Sequence, residues 1–185
     1  MSEHLGWAQW WARPWRSAHD DWRTLGDPVI NALCLIDAPV NCTVEGITPG
    51  LPPAPDPTLL KLALASASEL DFVLDLIDSI CRPHTTTALQ EDHHLWCKRI
   101  AKALPPQTLL PADDPLQLLR AWVEPPVWQR LRLRFCLARV LELERSHRPY
   151  AGDASRLDTL WQAVVWRMTT RACTRLVPAP HAMDN

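Results

Sequence analysis

Apolar residues recur every three to four positions through most of this chain, and prolines cut the pattern into short lengths. No stretch sustains an alternation of period two, so the pattern predicts helices and little or no sheet. Over 58–81, Leu59, Leu62, Ala63, Leu70, Val73, Leu74, Ile77 and Ile80 share one helical face. Asp56-Pro57 starts that helix, because an aspartate accepts first-turn N–H groups and proline presets φ at the first helical position. Pro83 ends it. A second helix is predicted over 88–104, with Leu89, Trp96, Ile100, Ala103 and Leu104 as its stripe. Asp114-Pro115 repeats the cap for a short helix over 115–123, and Glu124-Pro125-Pro126 separates it from a helix over 126–147. There Trp128, Leu131, Leu133, Phe135, Leu137, Val140, Leu141 and Leu143 surround most of the circumference, which predicts a central place in the core. In the last helix, capped by Asp153 or Ser155, Leu157, Leu160, Trp161, Val164, Val165, Met168 and Ala172 follow one face; Pro178 and Pro180 end it.

Two segments depart from this pattern. Residues 4–23 are rich in tryptophan, and Pro14 prevents a single straight helix there. Residues 26–57 read mostly as loop, with a short apolar piece over 29–36. The run 49–57 holds five prolines in nine residues and should form an extended, semi-rigid connector. The organisation expected is all-α: a single compact helical domain of about five to seven helices. Residues 1–57 form an N-terminal segment and connector packing on the main body, 58–176 the helical core and 177–185 a flexible tail.

Composition narrows the function classes. Apolar content of 47% supports a real core, and a net charge of −2 favours neither nucleic acid nor an anionic membrane. The start of the chain lacks a signal-peptide pattern, and no apolar run is long enough to span a bilayer, so a cytoplasmic location is expected. Cys34, Cys42, Cys81, Cys97, Cys136 and Cys173 read as reduced, mostly buried thiols. Five glycines and no glycine-rich phosphate loop argue against a nucleotide enzyme of a known loop type.

Some side chains could carry chemistry. Cys81, His84, His94 and Cys97 have two ligand pairs at a spacing of three and could surround zinc; core thiols and solvent-facing histidines explain them more simply. His93 and His94 could make a helix start sensitive to pH. Cys97 with His93 four residues away could form a nucleophile and base, although an ordinary buried thiol accounts for it. Glu91-Asp92 and Asp113-Asp114 are explained by helix starts. Neither a catalytic residue nor a cofactor or metal site is assigned. Arg130, Arg132, Arg134, Arg139, Arg145 and Arg148 make one segment basic; intervening Glu142 and Glu144 favour a solvated face, or one meeting an acidic protein partner, over nucleic acid.

Ten tryptophans against one tyrosine and two phenylalanines are the compositional signature of the chain. Trp96, Trp128 and Trp161 fall on core stripes. Trp7, Trp10 and Trp11 share a helical face, and Trp15 and Trp22 prolong the segment. Three readings are open: a lid folded over the core; a docking element, since tryptophan is enriched in interface hot spots; or a helix lying on a membrane surface, against which the lack of a rich basic face counts. The candidate partner-binding residues are therefore Trp7, Trp10, Trp11, Trp15, Trp22, Arg130 and Arg134.

Residues 95–105, 114–122 and 128–135 resemble the SctK group (YscK- and HrpD-like) of bacterial type III secretion sorting-platform accessory proteins. The similarity extends over about 60–145, and the group has no catalytic motif to match. The resemblance implies an all-helical, non-enzymatic cytoplasmic adaptor, peripheral to the inner membrane through its partners. Those partners would be the cytoplasmic domains of the inner-membrane ring and the C-ring-like component. A helical chaperone or regulator, and a thiol- or metal-dependent helical enzyme, are the competing classes.

Overall fold

The computed structural model describes residues 3–23, 46–83, 89–104, 114–146, 150 and 152–175. Among them are nine α-helices and no strand: α1 (Glu3–Ala12), α2 (Asp20–Arg23), α3 (Pro57–Leu64), α4 (Ala67–Cys81), α5 (Glu91–Ala103), α6 (Pro115–Trp122), α7 (Pro125–Leu131), α8 (Leu137–Arg145) and α9 (Ala154–Arg175). Two 3₁₀ turns, Pro14–Ser17 and Arg132–Arg134, complete the set. The chain is all-α. The apolar piece over 29–36, His84 and the tail over 177–185 lie outside the described residues.

Proline and aspartate punctuate the helices as the sequence predicts. Asp56 Oδ1 accepts from the N–H groups of Thr58 and Leu59, with Pro57 opening α3. Asp114 Oδ1 accepts from Leu116 N–H at the start of α6. At α9 it is Asp153, of the two residues offered as caps, that accepts the Ser155 N–H.

The 58–81 segment is two helices rather than one. Ala65 and Ser66 take extended backbone (ψ 152° and 165°), and Ser66 restarts the chain as α4. Ser66 Oγ accepts from Glu69 N–H while the Glu69 carboxylate accepts from Ser66 N–H, a reciprocal cap that satisfies two otherwise orphaned donors. The 126–147 segment also divides, into α7, a 3₁₀ turn and α8, with extended backbone at Phe135 (ψ 158°). Its apolar residues seemed to encircle one helix because helical phase was counted across that break. Leu141 is 45% exposed, so α8 lies at the edge instead of the centre. In α5 the inward face carries His93, Cys97 and Ala101, whereas Ala103 is exposed.

The core forms around α4 and α9. Helix α4 packs against α5, α6 and α9, and α9 also meets α3 and α6. Trp161 of α9 is fully buried and stacks on Trp122 of α6, ring centroids 5.4 Å apart. The Trp122 indole donates to Asp158 at 2.6 Å, tying the same two helices by their polar edges. Trp128 is buried and Trp96 half-buried. Helix α1 lies on α3, and the 3₁₀ turn after it meets α7 and the 132–134 turn. Among the described residues no helix is long and apolar enough to cross a membrane.

Candidate functional site: a tryptophan and arginine clamp

Helix α1 places Trp7, Trp10 and Trp11 on one face, and all three rings are buried. Trp7 and Trp10 stack with centroids 5.1 Å apart; Trp11 tilts against Trp7 at 5.8 Å. The rings thus sit in the interior, as a lid, rather than presenting a free docking face. The polar edges of Trp7 and Trp11 still point at something specific, whereas the Trp10 Nε1 is buried without an acceptor among the described residues. Trp7 Nε1 donates to the carbonyl of Pro53 at 3.1 Å, and Trp11 Nε1 to the carbonyl of Gly50 at 2.8 Å. The proline-rich connector is therefore laid across the tryptophan face.

Arg130 of α7 completes the clamp. Its guanidinium carbon lies 3.7 Å from the centroid of the Trp11 ring. Its Nε donates to Trp11 O, Nη1 to Pro126 O and Nη2 to Thr48 O, all within 3.1 Å. Gln129 beside it accepts the Thr48 N–H at 2.9 Å. Burial pulls the Arg130 pKa down, but a guanidinium starts so high that it stays charged. Helical periodicity gave no hint of Gln129 or Thr48, because their link spans 81 residues. Gly46 enters the connector with φ +84°, and a Cβ there would meet Arg132 Nη2 at 2.5 Å. The positive φ favours glycine, and a side chain there would also push the Arg132 guanidinium aside.

Arg132, Arg134 and Arg139 make structural contacts within the fold. Arg134 donates to the carbonyls of Ala63 and Ala65, which the break between α3 and α4 leaves without helical partners. Arg132 Nη1 donates to both carboxylate oxygens of Glu144, each bond 3.0 Å, and Trp128 Nε1 donates to the same carboxylate. Arg139 grips Asp114 through Nε at 2.6 Å. Burial raises the Asp114 pKa, but the Arg139 and Leu116 hydrogen bonds outweigh it and hold the carboxyl below its ordinary range. Arg145 is exposed, and Arg148 lies outside the described residues. Trp22 donates to Phe135 O at 2.8 Å and anchors α2; Trp15 is half-buried.

The candidate chemical groups are dispersed or quenched. Cys97 is fully buried, its thiol directed at Leu76 O at 3.6 Å, and burial pushes its pKa up to about 11. Burial pushes Cys81 up to about 12. Such thiols stay protonated at neutral pH and lack nucleophilic character. His94 pairs with Ser79 Oγ at 3.3 Å. His93 is buried against Phe72 and accepts at Nδ1 from Arg167 Nε at 3.1 Å. That bond occupies one of the two ring nitrogens. Among the described residues no three His, Cys, Asp or Glu side chains are grouped to hold a metal ion.

A polar groove of about 440 Å³ lies elsewhere, between α4, α6 and α8. Asp71, Asp75, Asp78, Asp114, Arg82 and Arg139 line it; Arg82 pairs with Asp78 along its own helix and Arg139 with Asp114. Burial, then repulsion from Asp71, raises the Asp75 pKa.

In comparison with known proteins, the chain matches no family model, no curated protein and no solved structure.

Proposed function

We propose that this chain is a non-enzymatic adaptor of a bacterial type III secretion sorting platform. It bridges the cytoplasmic domains of the inner-membrane ring to the C-ring-like component. The residues that resemble the SctK group fall on α5, α6, α7 and the turn after α7. Buried, protonated thiols and arginines spent on helix ends fit a protein that works through its surface. One observation carries the binding role: Trp166 projects from the outer face of α9, 59% exposed, on the longest helix of the fold. An exposed indole on a rigid helix is the side chain most enriched in interface hot spots.

The test is recovery of the tagged full chain from its native bacterium under mild conditions. Wild type should bring down the C-ring-like and inner-ring components. Trp166→Ala should lose at least one of them while keeping its thermal midpoint. Recovery of one unrelated client, or of nothing, would discard the secretion reading in favour of a chaperone or regulator.

A further inference from the structure

The connector and α1 meet in a register that goes beyond simple packing. Trp7 and Trp11 are four residues apart, about one α-helical turn. The carbonyls they bind, Pro53 and Gly50, are three apart, one turn of a polyproline II helix. Arg130 adds Thr48 O, two residues before Gly50, so the donors Trp7, Trp11 and Arg130 meet carbonyls 53, 50 and 48 in order. The residues before Pro49, Pro52, Pro53, Pro55 and Pro57 are all biased to extended backbone. Asp56, the last of them, has φ −64° and ψ 142°, the polyproline II values.

Indole N–H groups donating to the carbonyls of a stiff proline-rich strand, over an aromatic floor, constitute a polyproline recognition mode. The occupant here is held lightly. Thr48, Pro49, Gly50, Pro52 and Pro53 are exposed, and Leu51 is 92% exposed. No side chain of that run needs to be buried for the contacts to form, since the bonds run through its backbone.

We propose that the Trp7–Trp11–Arg130 face is a polyproline-binding site, which the chain's own 48–53 strap occupies in cis. A proline-rich segment of a partner protein takes it in trans by displacing the strap. The chemistry required of the ligand is two backbone carbonyls three residues apart for the indoles, a third two residues before them for Arg130, and prolines to hold them there. This inference is independent of the secretion reading: the clamp can bind such a peptide whatever assembly the protein serves.

The experiment uses the full chain, ¹⁵N-labelled at tryptophan, and a synthetic peptide with the sequence of residues 46–57. The host is the strap variant Pro49→Ser/Pro52→Ser/Pro53→Ser, with Pro53→Ser alone as the milder host if the triple change lowers helix content. Indole N–H signals of Trp7 and Trp11 are assigned with Trp7→Phe and Trp11→Phe, which remove each donor and keep an aromatic ring. A cis strap competes at an effective concentration of about millimolar, so the strap variant should bind the peptide at least about tenfold more tightly than wild type. Those two signals should shift saturably, and a peptide with serine at every proline should leave them unmoved. If neither signal moves in a folded host with up to about 5 mM peptide, the site does not exist in trans. Concentration-dependent dimerisation without peptide binding would also overturn the proposal, since the occupant would then be a second copy.

Discussion

Arg130 lies on the face of Trp11 and hydrogen-bonds the same residue's carbonyl, through a guanidinium carbon 3.7 Å from the ring centroid and an Nε 3.1 Å from the oxygen. One side chain thus holds both the ring and the backbone of α1's end against α7. Arg130→Met would keep much of the volume but leave the carbonyls of Trp11, Pro126 and Thr48 without their charged donor. A loss of about 2–4 kcal/mol is expected from the denaturant midpoint at unchanged slope. Arg130→Lys should recover less than half of it, because an ammonium cannot lie flat on the indole and reach three carbonyls together.

The Ser66 cap is open to a smaller, cleaner test. Ser66→Ala removes the acceptor for Glu69 N–H and half of the reciprocal pair. The expected cost is about 1 kcal/mol by chemical denaturation. Ser66→Asp should restore most of it, since aspartate caps equally well and suits the positive end of a helix. If Ser66→Ala left stability unchanged, the two-helix start of the domain would not depend on this cap.

Thiol reactivity should follow burial. Among Cys81, Cys97 and Cys136, only Cys136 is partly accessible, while the other two are buried with pKa values pushed up to about 12 and about 11. Of these three, native alkylation at pH 8, read by peptide mass spectrometry, should label Cys136 first. Cys81 and Cys97 should follow only at the rate of unfolding. Prompt labelling of Cys97 would show a reactive thiol and reopen the enzyme reading.

Acid should weaken the α5–α9 junction. Burial lowers the His93 pKa; Asp92 opposes this, and Arg167, Arg171 and His94 reinforce it. The unfolded state therefore takes up a proton at higher pH than the folded state. The stability tied to neutral His93 is complete above the unfolded value of about 6.5 and declines as pH falls below it, until the folded form also protonates. His93→Gln retains an acceptor for Arg167 and cannot titrate, so its stability should be flatter from neutral pH down to the carboxylate range. An unchanged pH slope would place the acid sensitivity elsewhere.

Asp56-Pro57 and Asp114-Pro115 were legible because an N-cap is a local device: its donor and acceptor lie within three residues. The α9 stripe was legible because one phase persists along its length. The break at Ala65-Ser66 was written as Ser66-x-x-Glu69, yet the apolar face of 58–81 continues across it and conceals it. The same break decides the role of Arg134. The carbonyls it serves, Ala63 and Ala65, are free only because the helix stops there. Arg130 and the N-terminal tryptophans were singled out, but their partners are backbone atoms far along the chain, which no side-chain pattern encodes. The Pro-rich run revealed its stiffness and not its seat.

The clamp also has a history in time. Trp11 and Arg130 are separated by 119 residues, so α1 emerges from the ribosome long before α7 exists to receive it. At roughly 5–20 residues per second, roughly 6–24 seconds of synthesis pass before the tryptophan-rich arm, already able to meet α3 and the connector, gains its Arg130 contact. Throughout that interval its three apolar rings are a ready target for holding factors on the nascent chain. Slow codons or a crowded cell would lengthen the exposure without altering a single contact of the finished fold.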